Sequence, residues 1–78
     1  LHSPFALTDE ELNKYVELNK RIDDIEKKMP TLEKKDAYDI QVELNITKDK
    51  VKTAAFKMAE TYLESIEKRI EKLTEKKQ

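Results

Sequence analysis

No glycine occurs among the 78 residues, and the two prolines stand at positions 4 and 30. That absence narrows the fold more than any motif does. Tight turns of types II, I′ and II′ need positive φ, which glycine supplies at the lowest steric cost. A small β-sandwich or barrel needs several such turns, and here only Asn or Asp could make them. Lys and Glu dominate the composition, and both favour helix. The sequence therefore predicts an all-α fold with few turns, in one domain spanning residues 1–78.

The same inventory removes whole classes of function. Without cysteine there is no disulfide scaffold and no thiolate metal site. Without glycine there is neither a P-loop nor a dinucleotide-binding fingerprint. No apolar run approaches the ~18 residues of a membrane span, so no membrane partner is expected. Sixteen basic residues face seventeen acidic ones, and a net charge of −1 offers no general attraction to nucleic acid or anionic lipid. The charges alternate in sign, with acid-first i,i+4 pairs at Glu10–Lys14, Glu17–Arg21, Asp23–Lys27, Asp24–Lys28 and Glu64–Lys68. Such pairs support solvated helix faces at a few tenths of a kcal/mol each. Residues 1–20 lack a basic segment followed by an apolar one, so no secretory signal is expected and a cytoplasmic location is the default.

Residues 1–7 form a short apolar lead-in. Thr8 then has the features of an N-cap: Glu11 completes a capping box, and Leu7 and Leu12 hold the staple positions. Asp9 and Glu10 sit where the helix dipole favours anions. Apolar side chains follow at Tyr15, Leu18, Ile22, Ile25 and Met29, the 3-4-3-4 spacing of a helix–helix seam. Pro30 is expected to push the preceding residue out of the α region. Helix 1 is expected from about 9 to 28, and the short turn after it returns the chain antiparallel.

Residues 33–76 contain neither glycine nor proline, so a single second helix is expected over about that range. Its apolar positions at Ile40, Leu44, Val51, Ala55, Met58, Tyr62, Ile66 and Leu73 include repeats of eleven, the period of a nearly straight stripe. The predicted architecture is thus an antiparallel helical hairpin, coiled-coil-like, with a longer second helix. The alternative is a break near Thr47, which could act as an N-cap, giving a three-helix bundle. The segment Ile40-Gln41-Val42-Glu43-Leu44-Asn45-Ile46 also alternates apolar and polar residues as a strand does. It reads as a helix with two apolar faces, or as a strand that could pair only with another molecule.

A 20-residue helix covers ~30 Å, whereas one of ~43 residues covers ~65 Å. An unbroken second helix would therefore leave Tyr62, Leu63, Ile66, Ile70 and Leu73 projecting beyond the hairpin, an apolar seam suited to self-association, most simply as a dimer. Ala54, Ala55 and Ala59 stand where such a seam begins, either a crossing point for a partner helix or a place of tight packing against Phe5.

Catalytic chemistry has little to stand on. His2 is the one histidine, so His-based zinc sites have no second ligand. Ser3 and Ser65 have no candidate base. Glu60, Glu64, Glu67 and Glu71 keep helical spacing but are expected to form a solvated acidic face. No catalytic residue, metal, cofactor or small-molecule substrate is predicted. The one basic concentration, Lys48, Lys50, Lys52 and Lys57, supplies the alternative of phosphate contacts in a nucleic-acid-associated accessory protein. The sequence favours a non-enzymatic protein–protein interaction module that acts through an apolar helical seam.

Overall fold

A computed structural model describes residues 7–75 and shows three packed helices: α1 (Asp9–Lys28), α2 (Lys34–Lys52) and α3 (Phe56–Glu75). A 3-10 turn, Met29–Thr31, joins the first two. His2, Ser3 and Phe5 of the lead-in lie outside the described residues, as do Lys76 and Lys77.

The start of α1 follows from its local chemistry. The Glu11 N–H donates to Thr8 Oγ1 at 3.1 Å, and the Thr8 N–H donates to Glu11 Oε1 at 2.9 Å, a complete capping box. At the other end Met29 keeps α angles (φ −53°, ψ −43°), contrary to the expectation that Pro30 would push it out of that region. The helix ends because Pro30 has no N–H to continue the ladder, and the chain tightens into the 3-10 turn. The Thr31 hydroxyl donates to the Lys28 carbonyl at 2.6 Å, so it closes α1 rather than opening α2. Glu33 occupies the N-cap position of α2 without a side-chain capping bond.

The long second helix is not continuous, which corrects the hairpin expectation. The chain reverses at Thr53–Ala55, after Lys52 and well beyond Thr47. Thr47 is fully buried within α2, and its hydroxyl donates to the Glu43 carbonyl at 2.9 Å, so it caps nothing. The turn is a Schellman motif: Ala55 N–H donates to Lys50 O at 2.8 Å and Ala54 N–H to Val51 O at 3.1 Å. Its left-handed residue is Ala54, with φ at 61°. An alanine there costs about 1–2 kcal/mol, which is why glycine normally holds the position. The cost is met from elsewhere in the molecule. Reversal lays α3 along the first two helices and buries Leu63, Ile66 and Ile70, each worth about 1.5–3 kcal/mol. Burial outweighs the strained alanine.

The core draws on all three helices: Leu18, Ile22 and Ile25 from α1, Ile40, Leu44 and Val51 from α2, and Ala59, Leu63, Ile66 and Ile70 from α3. Met29, Leu32, Phe56 and Leu73 pack around it, half-buried. Among the described residues no buried side-chain nitrogen or oxygen lacks a hydrogen-bond partner. The segment 40–46 is helical throughout, so its intermolecular-strand reading is set aside.

Charges bridge each pair of helices. Lys14 pairs with Glu60, and Arg21 holds Glu67 through two hydrogen bonds, Nη2 to Oε1 at 2.6 Å and Nε to Oε2 at 3.1 Å. Both members of these pairs advance by seven residues, so α1 and α3 run parallel in one register. Lys48 meets Glu26 at 2.5 Å between α2 and α1, and Arg69 meets Glu43 at 3.4 Å between α3 and α2. None of the five expected i,i+4 pairs forms. Lys14 makes one weaker contact within its helix, to Glu17 at 3.4 Å, in an i,i+3 relation.

Candidate interaction surface

The residues expected to project are mostly inside. Leu63 and Ile66 are fully buried, Ile70 is nearly so, and Tyr62 and Leu73 are half-buried. The projecting seam is therefore corrected: these side chains face the molecule's own core because the reversal at Ala54 turns α3 home. Ala59 is likewise a core residue, while Ala54 and Ala55 form the turn.

The four lysines do not gather. Lys48 is engaged with Glu26, Lys50 is half-buried, and Lys52 and Lys57 are exposed on different helices. The acidic row also divides. Glu60 and Glu67 receive Lys14 and Arg21, whereas Glu64 and Glu71 remain exposed. The sequence carried a sign of this that local helix spacing missed, because Lys14 and Arg21 match Glu60 and Glu67 in their seven-residue step. These contacts set the electrostatics. The hydrogen bond to Glu60 chiefly raises Lys14 above its ordinary 10.5, and the hydrogen bond to Glu67 chiefly raises Arg21.

An open groove of about 520 Å³ runs between the C-terminal halves of α1 and α3, lined by Arg21, Asp24, Ile25, Lys28, Glu67, Ile70, Glu71 and Thr74. Half of its polar side chains are committed: Arg21 to Glu67, and the Thr74 hydroxyl to the carbonyls of Ile70 and Glu71. No nucleophile–base pair lines it. Among the described residues no three His, Cys, Asp or Glu side chains group to hold a metal ion. Among them, too, no helix is long and apolar enough to cross a membrane.

Open apolar surface is found instead on α2. Tyr38, Val42 and Ile46 are 72%, 45% and 40% exposed. They stand four residues apart, so they stack along one side of the helix. Ile40, Leu44, Thr47 and Val51 occupy the opposite side and are all buried. Comparison with known protein families, with curated proteins and with solved structures finds no match to this chain. A second set of exposed apolar residues, Leu7, Leu12, Tyr15 and Val16 at the start of α1 and Met58 on α3, lies toward the N-terminal ends of these two parallel helices and does not form a single stripe along one helix. The α2 stripe was legible in part. Val42 and Ile46 were expected to form a second apolar face, and Tyr38 extends it by one further step of four.

Proposed function

We propose that this chain is a non-enzymatic protein–protein interaction module whose working surface is the outer side of α2. One observation supports this most directly: Tyr38, Val42 and Ile46 lie in water on a helix whose other side is already packed. A three-helix domain of this size has no structural need for a second apolar stripe, and a groove-seeking helix face is a recurrent recognition element. The reading keeps the interaction role expected from the sequence and moves the seam from α3 to α2.

Photocrosslinking tests it. A photoreactive phenylalanine placed at Tyr38 is expected to give protein adducts, while the same group at the exposed Lys68 of α3 gives none. Val42→Asp should abolish the adducts without loss of helix content. Association should also persist at raised salt, because apolar burial drives it, whereas phosphate contacts through three or four lysines would weaken steeply. Absence of adducts from position 38, or adducts indifferent to Val42→Asp, defeats the proposal.

A further inference from the structure

We infer that the partner is a second copy of the chain, its α2 lying antiparallel across the first about a two-fold axis at Val42. This rests on the α2 surface being an interaction face, and it goes further by naming the occupant. The outer side of α2 reads Lys35, Tyr38, Val42, Ile46 and Asp49, a 3-4-4-3 spacing symmetric about Val42 with Asn45 beside it, all exposed. Steps of three and four keep these side chains on one side of the helix. The order along the seam is self-complementary. Tyr38 and Ile46 each stand four residues from Val42, and Lys35 and Asp49 each stand seven.

Antiparallel pairing about Val42 therefore sets Tyr38 against Ile46 of the second copy, Val42 against its own counterpart, and Lys35 against Asp49 of the second copy. The Tyr38–Ile46 and Lys35–Asp49 contacts each occur twice and the Val42 contact once, on the axis, as an isologous interface requires. Parallel pairing would instead place Lys35 on Lys35 and Asp49 on Asp49, bringing like charges together at both ends. Among the described residues Lys35 and Asp49 form no ion pair. Fourteen residues apart on one helix, they are separated by ~21 Å and cannot reach each other inside a single copy. The core side of α2 stays with α1 and α3, so docking needs no rearrangement of the fold. A contact confined to one helix face belongs at the small end of specific interfaces, below ~1,200 Å² in total, so the dimer should dissociate on dilution.

Sedimentation equilibrium over a concentration series tests the pairing, with far-UV circular dichroism confirming that each variant stays folded. A reversible monomer–dimer equilibrium is expected, and Val42→Asp should abolish it. Lys35→Asp alone and Asp49→Lys alone should each weaken the dimer about tenfold, since each replaces two opposite-charge contacts by two like-charge ones. The double variant Lys35→Asp with Asp49→Lys should return to within about threefold of the parent. Such rescue can arise only between copies. A monomer at every concentration, a dimer indifferent to Val42→Asp, or a double variant no better than the singles overturns the inference. A monomer that still gives Val42-dependent adducts from position 38 with another protein overturns the self-pairing and leaves the interaction reading standing. A monomer without such adducts removes both.

Discussion

Helices α2 and α3 are nearly equal in length, 19 and 20 residues, yet they dispose of their apolar side chains differently. In α3 the buried residues Ala59, Leu63, Ile66 and Ile70 follow a 4-3-4 spacing on one side, and exposed charges fill much of the rest. Helix α2 has the same 4-3-4 inward set, Ile40, Leu44, Thr47 and Val51, and adds Tyr38 before it and Val42 and Ile46 within it. A residue two places along a helix turns about 200°, so interleaved apolar residues must emerge on the far side. Alternation that resembles a strand therefore becomes, once helical, a segment with two apolar faces. One is spent on the core. The other is left open.

The largest test of this contrast sets a charge on each helix. Ile66→Asp buries a carboxylate among aliphatic side chains, and the chain is expected to lose its helical circular dichroism altogether. Val42→Asp should leave a cooperative urea transition at nearly the parent midpoint when measured on dilute protein. Equal unfolding by both would abolish the distinction between the faces. Truncation within α2 is the next in size. Leu44→Ala should cost about 2–5 kcal/mol in urea unfolding, against under ~1 kcal/mol for Val42→Ala at low concentration.

The turn that separates the two helices gives a change of opposite sign. Ala54→Gly relieves the left-handed alanine and should stabilise the fold by about 1 kcal/mol, a thermal midpoint some ~4–8 °C higher for a domain of this size. A fall in the midpoint would mean that the reversal does not use this residue as described. Glu67→Gln removes the charge from the fork that Arg21 makes between α1 and α3. Both side chains are partly exposed, so its cost should stay below ~1 kcal/mol and shrink with added salt.

The smallest effect is a pH dependence. The contact with Glu60 raises Lys14 above its ordinary 10.5, so the folded state holds that proton more tightly than the unfolded chain does. The contribution of the pair is fully present below pH 10.5 and fades as the pH climbs through the raised folded value. Urea midpoints measured from pH 9 to 11.5 should decline less steeply in Lys14→Gln than in the parent. An identical slope would mean the pair adds nothing in solution.

The helical class, the capping box at Thr8 and the end of α1 near Pro30 were determined by the sequence alone, because each depends on residues within one or two turns of each other. The twofold apolar character of 40–46 was legible for the same reason. The reversal at Ala54 was not. No residue in 53–55 favours a left-handed turn, and a local window sees only an unbroken run of helix formers. The preference comes from Leu63, Ile66 and Ile70, which gain burial against helices as many as fifty residues away only after the chain has turned. The ion pairs followed the same division, since Arg21 took Glu67 and Lys14, besides its weaker contact with Glu17, took Glu60, partners that only packing brought alongside. Tertiary structure thus decided which apolar stripe closes the core and which faces outward. It did so because burial summed over several distant side chains exceeds the cost of straining one alanine.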